Sequence, residues 1–243
     1  MQDVAVCIPA KDEADRIAAT VKAAQELPGA DLVVVIDDGS SDGTGRVARE
    51  AGARVVRHSR NRGKGAAMET GAEAVRLLDE GRDQPRHLLF LDADLAETAG
   101  GAAPLVEPVR AGEADMTIAV FTTTVKLGGH GFVVRLSRDG IRRATGWEAT
   151  APLNGQRCLT RAAFDAALPL AAGFGVETAL TVDLLRKGFR VAEVEVPLAH
   201  RATGTDWRSQ LHRARQFRDV ARALAVREPA VARRLDRLRG SRR

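Results

Sequence analysis

The sequence predicts an α/β protein, a three-layer α/β/α arrangement on a mostly parallel mixed sheet. Short runs rich in Val, Ile and Leu alternate with longer segments of helical period, which is the pattern of successive βαβ units. The apolar fraction, 44% of 243 residues, is ordinary for a domain with a real core. Acidic and glycine-rich turns border the strand-like runs, where an open α/β sheet gathers its ligands beyond the carboxyl ends of the strands.

The first strand is expected over Val4 to Pro9, an unbroken apolar run that stops at a proline, and a helix follows from Ala14 to Glu26. Leu32 to Asp37 reads as a second buried strand. The helix from Thr44 to Ala51 has Ser41 and Asp42 as N-cap types before it and Gly52 as its stop. Arg54 to Arg57 is a short third strand, Gly65 to Leu78 a long helix, and Leu88 to Asp92 a fourth strand. Beyond these come a helix at Pro104 to Ala111, a strand at Met116 to Phe121 and a helix at Phe132 to Thr145. The last strands fall at Gln156 to Thr160 and Val191 to Pro197, with helices at Arg161 to Ala167, Glu177 to Lys187 and Trp207 to Val226. Thr122 to Gly131 is the one long polar, Gly-rich interruption, either a plain surface loop or a lid. No internal repeat or low-complexity tract interrupts the chain.

Composition excludes several classes. Cys7 and Cys158 stand far apart with no Cys-x-x-Cys or Cys/His cluster, which argues against a disulfide framework or structural zinc and for a reducing cytoplasm. No basic leader precedes the first apolar run, and no apolar stretch approaches the roughly 20 residues of a membrane-spanning helix, so neither export nor spanning is expected. The net charge of +5 is a property of the C-terminus: from Arg201 onward thirteen Arg oppose only Asp206, Asp219, Glu228 and Asp236, and the preceding residues are net negative. That block is either a solvated helix or a docking surface for anionic lipid or nucleic acid. Aromatic residues make up 4% and Tyr is absent, so stacking platforms for nucleic acid are scarce and no nucleic-acid partner is expected.

Four segments carry candidate chemistry. Asp92-Ala93-Asp94 closes the fourth strand; in an extended turn Ala93 points away and both carboxylates face one ligand. Alone, such a pair is weak evidence, because most acidic pairs in loops are merely solvated. Hard divalent cations such as Mg²⁺ and Mn²⁺ bind through one or two carboxylates plus substrate phosphates, which this turn can offer without being a complete cage. Asp37-Asp38-Gly39-Ser40 supplies a carboxylate for a base N–H or a ribose hydroxyl beside a glycine that admits close approach, or else it only caps the following helix. In Asn61-Arg62-Gly63-Lys64-Gly65 a lysine stands at a helix N-terminus, which favours anions, although Gly-Lys-Gly also occurs in ordinary loops. Pro9-Ala10-Lys11-Asp12-Glu13 ends the first strand. All four fall at one edge of the expected sheet.

These segments resemble family 2 glycosyltransferases of the GT-A (Rossmann-like) fold, with signatures Pro-x-x-Asn-Glu, Asp-Asp-Gly-Ser-x-Asp-Gly-Thr, Asn-x-Gly-Lys-Gly and Asp-x-Asp. The resemblance runs from about Val4 to Arg201, and Asp12 stands where the family more often has Asn. It implies that Pro9, Ala10, Glu13, Asp38 and Lys64 hold the nucleotide, that Asp92 touches the donor and that Asp94 holds Mg²⁺ or Mn²⁺. The second half looks most like the dolichol- or polyprenol-phosphate sugar synthase branch. There Arg135, Arg138 and Arg157 take the places of acceptor-binding arginines, while Ala149-Thr150-Ala151-Pro152 lacks that branch's acidic residue.

Gly173-Phe174-Gly175-Val176-Glu177 resembles the segment that carries an acidic residue near the acceptor in related transferases; Glu177 is either a general base or a carboxylate favourable to a helix dipole. By the same likeness His200 is a further metal ligand or a structural histidine, and Arg201 neutralises diphosphate. Residues 1–205 are then the GT-A domain, and 206–243 a basic amphipathic helix and tail, membrane-facing or packed on the domain. The implied activity is metal-dependent, inverting transfer from a UDP- or GDP-sugar to a phosphate-bearing acceptor, with polyprenyl phosphate at the inner membrane face favoured. A soluble acceptor such as 3-phosphoglycerate is the alternative. A nucleic-acid or membrane-surface binding module is the rival of another class. A nucleotidyltransferase lacks support, since no Gly-rich activation loop follows the first strand.

Overall fold

The computed structural model describes residues 3–122, 131–198 and 207–227, with side chains from residue 215 in the last stretch. Its first half runs β1 (Val4–Ala10), α1 (Ile17–Gln25), β2 (Ala30–Asp37), α2 (Thr44–Glu50), β3 (Arg54–Arg57), α3 (Lys64–Leu78) and β4 (His87–Phe90). After a 3₁₀ stretch (Ala96–Leu105) come α4 (Glu107–Arg110), β5 (Met116–Phe121), α5 (Gly131–Thr145), β6 (Arg157–Leu159) and α6 (Arg161–Ala166). The chain continues through α7 (Val176–Arg186), β7 (Val191–Val196) and α8 (Trp207–Arg227). The seven strands form one sheet in the order β3-β2-β1-β4-β6-β5-β7. β6 alone runs antiparallel to both its neighbours, so the sheet is mostly parallel and mixed, as expected.

Both faces of the sheet are covered, which is why its strands read as continuous apolar runs. Val4, Val6 and Ile8 of β1 face Ile17, Val21 and Ala24 of α1 and Leu105 of the 3₁₀ stretch. Ala5 and Cys7 face the other way, toward Met68, Ala72 and Val75 of α3, Phe164 of α6 and Leu180 of α7. Cys7 and Cys158 are free and fully buried, and burial pushes both thiols up to about 12. Among the described residues no helix is long and apolar enough to cross a membrane.

Of the boundaries that differ from expectation, three have a local reason. β4 ends at Phe90, two residues early. The Leu91 N–H donates to the Cys7 carbonyl at 3.1 Å; residue 9 would be the next β1 donor toward β4, and as a proline it has no N–H. The pairing therefore stops and Asp92 to Asp94 leave the sheet as a turn. α1 starts at Ile17 and not Ala14, because the Glu13 and Ala14 amides donate to Thr44 Oγ1 and Asp42 Oδ2 and hold residues 13–16 in a turn. The helix expected from Pro104 is only Glu107–Arg110, preceded by the 3₁₀ stretch. Gly100, Gly101 and Pro104 are poor α-formers, and a Cβ on Gly101 would lie 2.8 Å from the Pro197 carbonyl oxygen.

The described part of α8 folds back on the domain. Val220 and Ala223 are buried, Leu224 packs beside Ile141 and Val182, and Arg227 pairs with Asp183. Phe132 of α5 stacks on Phe217 with ring centroids 5.3 Å apart. Gly140 makes the crossing possible: a Cβ there would stand 2.3 Å from Leu224 Cδ1. Gly140→Val is accordingly expected to cost about 2 kcal/mol by overpacking, read as a lower urea midpoint with an unchanged m-value.

Candidate functional site

The carboxyl ends of β1, β2 and β4 and the first turns of α3 and α7 enclose a cleft of about 380 Å³. Pro9, Ala10, Asp38, Lys64, Asp92 and Glu177 all line it, together with Asn61, Gly63 and Phe174. Six residues singled out from four separate segments and one later helix thus share one cavity.

The turn after β2 is built by its own carboxylates. Asp37 Oδ1 accepts the Ser40 N–H at 2.8 Å, and its Oδ2 lies 3.4 Å from the Arg57 guanidinium. The Asp38 N–H donates to the Ala10 carbonyl at 2.9 Å, tying the ends of β1 and β2 together. Gly39, at φ +74°, packs on the chain at residues 60 and 61, where a Cβ would approach the Arg60 carbonyl carbon to 2.7 Å. Asp38 then reaches across: its Oδ1 accepts the Arg62 N–H and its Oδ2 the Gly63 N–H, each at 2.8 Å. His58 Nδ1 lies 2.7 Å from the same Oδ1.

The turn after β1 meets this one. Asp12 sits at φ +55°, in the left-handed region that Asn and Asp tolerate best among residues with a Cβ. Its carboxylate accepts the Ser41 N–H at 2.8 Å, and its own N–H donates to Ser40 Oγ. Hydrogen bonds from Lys11 and from the Ser41 amide hold the Asp12 carboxyl below the usual range. The substitution of Asp for the more frequent Asn is thereby accommodated. Glu13 follows in the pinned turn and does not line the cleft.

Lys64 occupies the centre. Its Nζ donates to Asp92 Oδ1 at 2.7 Å and stands 3.0 Å from Glu177 Oε1. Burial opposes its charge, but the two carboxylates outweigh that and hold the ammonium above the ordinary lysine range. Asp92 Oδ2 accepts from Gln156 Nε2 at 2.9 Å. Gly155 lies directly against the pair, where a Cβ would come within 2.2 Å of Nζ and 3.0 Å of Asp92 Oδ1. Gly65 lets the head of α3 approach the Ala171 carbonyl, with 2.7 Å to a notional Cβ.

In the acidic turn Ala93 is buried and its carbonyl accepts from Thr20 Oγ1 at 2.8 Å, whereas Asp92 and Asp94 are only partly buried. The turn therefore presents hard oxygen donors while its centre is anchored in the core. No group of three or more His, Cys, Asp or Glu gathers as a cation cage among the described residues. A carboxylate turn without a closed cage suits Mg²⁺ or Mn²⁺, which keep positions for phosphate oxygens and water. Asp94 is the residue of this turn that the family resemblance assigns to the cation, and Asp92 is engaged by Lys64 and Gln156.

The arginines diverge from expectation. Arg157, assigned to the acceptor, is 0% exposed and turned inward: Nε donates to the Asn154 carbonyl at 2.8 Å, one terminal nitrogen to Thr181 Oγ1 at 2.9 Å and the other to the Pro152 carbonyl at 3.2 Å. Burial pushes its pKa down to about 10 against the pull of Glu177 and Glu193. It braces the 152–156 loop and does not reach the cleft. Arg138 likewise donates to the Ala149 and Thr150 carbonyls, while Arg135 is exposed on α5 and donates to the Gly131 carbonyl. Glu193 accepts the Thr150 and Ala151 amides, supplying the loop with the acidic partner missing from its own sequence. His200, Arg201, residues 123–130 and the 228–243 tail lie outside the described residues.

The profile of the family described as Glycosyl transferase family 2 matches residues 5–165. The chain belongs to glycosyl transferase family 2. Glycosyltransferase AglJ of Haloferax volcanii is 34% identical over 211 residues, which cover 83% of this chain and 65% of AglJ. The chain therefore spans just under two thirds of that relative's length. Among solved structures, glucosyl-3-phosphoglycerate synthase from Mycobacterium tuberculosis with Mn²⁺, UDP and phosphoglyceric acid superposes with a TM-score of 0.73 at 25% identity, over 93% of this chain and 78% of that one. The same enzyme with Mn²⁺, UDP-glucose and phosphoglyceric acid gives 0.72 at 26% identity, over 93% and 79%.

In this family 2 chain, reading the sequence missed His58, Gly155 and Gln156 as site residues. The sequence around His58 offers it no chemical neighbour, yet the β2–β3 pairing of Asp37 with Arg57 brings it beside Asp38. Parallel strands ending in register were the signal that could have found it. Arg157→Ala should cost about 3 kcal/mol or more in urea unfolding, since it leaves a cavity and strands two carbonyls and Thr181.

Proposed function

We propose that this chain transfers a sugar from a nucleoside diphosphate donor, of the uridine type, to a phosphate-bearing acceptor in a reaction that requires Mg²⁺ or Mn²⁺. The observation that carries the reading is the single cleft in which Asp38, Lys64, Asp92 and Glu177 meet. The uridine donor and the divalent cation are supported by the likeness to glucosyl-3-phosphoglycerate synthase complexes with UDP and Mn²⁺ or Mg²⁺.

In this reading Pro9, Ala10 and Asp38 border the nucleoside, Lys64 meets the diphosphate as a point charge, and Asp94 holds the cation, joined by His200. Arg201 would lie at the same phosphates. Bound there, the cation would neutralise charge on the departing diphosphate. Asp92, already oriented by Gln156 and Lys64, would accept from sugar hydroxyls. An acceptor phosphate oxygen forms the new bond to the anomeric carbon as the bond to the nucleoside diphosphate breaks, with inversion in a direct displacement. That oxygen is already ionised near neutral pH, so no base is needed and Glu177 serves to position Lys64.

A polyprenyl phosphate, reached from the inner membrane face, is supported by exposed Arg215, Arg218 and Arg222 on α8, exposed Arg135, and the exposed Phe132 on α5. A soluble phosphorylated acid is the second reading, favoured by the likeness to an enzyme bound to phosphoglyceric acid. There a hydroxyl attacks, a proton must leave, and Glu177 becomes the candidate base.

Asp94→Ala is expected to lower Mn²⁺-dependent transfer or donor hydrolysis about 100-fold or more, while circular dichroism and melting temperature stay parental; full activity removes the metal assignment. Assays of UDP-sugars with detergent-dispersed polyprenyl phosphate and with 3-phosphoglycerate should show product only with the lipid if the first reading holds. Glu177→Gln separates the chemistries further. With a phosphate acceptor it should mainly raise the donor KM, and with a hydroxyl acceptor it should lower kcat by about 100-fold.

A further inference from the structure

We propose that His58 is a positioning residue for the donor nucleobase, acting through Asp38. The inference rests on the donor reading above and deepens it. An ionised carboxylate offers about four acceptor positions, and among the described residues three of those on Asp38 are filled. His58 Nδ1 at 2.7 Å and the Arg62 N–H at 2.8 Å share Oδ1, and the Gly63 N–H takes Oδ2 at 2.8 Å. One position on Oδ2 is left for a ligand in the cleft that Asp38 lines. A ring imide N–H is complementary to it; uracil carries one and cytosine does not, so a pyrimidine nucleotide is read by one proton.

His58 decides how that carboxylate is turned. A carboxylate only accepts, so Nδ1 is the donor to it, and Nε2 lies within hydrogen-bond distance of Thr70 Oγ1 at 2.9 Å. The imidazole is 7% exposed and fixed at both ends, between the β2 turn and the second turn of α3. The backbone N–H of His58 donates to the Asp37 carbonyl at 2.9 Å, which sets the backbone independently of the ring. The two backbone donors on Asp38 belong to residues 62 and 63, immediately before Lys64. A rotation of the carboxylate would therefore disturb the base contact first and, through residues 62 and 63, the lysine second.

The test is calorimetric titration of UDP and of CDP, with MnCl₂, into the full chain and its His58→Ala, His58→Asn and Thr70→Val variants, with thermal unfolding and steady-state kinetics of each. The parent should prefer UDP to CDP. His58→Ala should bind UDP about 10-fold more weakly with a reduced preference over CDP, and raise the donor KM while kcat stays within about twofold. His58→Asn, whose side-chain amide nitrogen takes the place of Nδ1, should recover most of the UDP affinity. A folded His58→Ala with parental UDP affinity and parental preference overturns the proposal. So does a His58→Asn that melts like the parent yet binds UDP no better than His58→Ala. Should His58→Ala not fold, Thr70→Val decides: loosening the ring should weaken UDP about threefold, and unchanged affinity overturns the assignment. A parent chain that binds neither nucleotide overturns the donor reading and this one with it, an outcome seen before any variant is compared.

Discussion

The ammonium of Lys64, held between the carboxylates of Asp92 and Glu177, is the interaction on which the site depends. It joins the first turn of α3, the turn beyond β4 and the first turn of α7, three segments far apart in the chain. A carboxylate as buried as Glu177 is costly without a partner, and Lys64 supplies one. The close approach is permitted by absent side chains: Gly155 lies under the ion pair and Gly65 against the Ala171 carbonyl. One ammonium against two carboxylates leaves the centre negative, a charge that a divalent cation would offset.

Around that centre the turns are organised by short polar side chains and not by apolar packing. Asp37 caps the Ser40 amide of its own turn, while Asp38, Ser40, Asp42 and Thr44 each satisfy backbone amides of a neighbouring segment, so the loops after β1, β2 and β3 hold one another in place. Such mutual capping keeps ligand-facing loops rigid while their outer surface stays polar. Pro9 contributes by omission: without its N–H the β1–β4 ladder ends, and the acidic turn is released toward the cleft.

The C-terminal helix joins two properties that sequence alone held apart. Its inner side, with Val220, Ala223 and Leu224, is core, and Arg227 locks it to Asp183. Asp219 lies against Gly173 and accepts from the Phe174 amide, so the helix also braces the turn that lines the cleft. Its outer arginines remain in solvent. A basic surface is thus attached to the wall of the site through Asp219.

Strand identity, sheet class and the acidic and glycine-rich turns were legible in the sequence because they depend on local pattern: apolar runs for strands covered on both faces, and Gly, Asp and Ser where turns need them. The placement of Asp38, Lys64 and Asp92 at one edge followed too, since parallel strands deliver what succeeds them to a common side. Tertiary structure decided what depends on distance across the chain. It buried Arg157 in the domain, because the 152–156 loop offered its carbonyls and Thr181 faced it from α7. It paired His58 with Asp38 through strand register, and it put Glu177 within reach of Lys64 through helix packing. A side chain's role among alternatives is set by which partners burial leaves it, and partners more than a turn away in sequence are chosen only when the chain closes on itself.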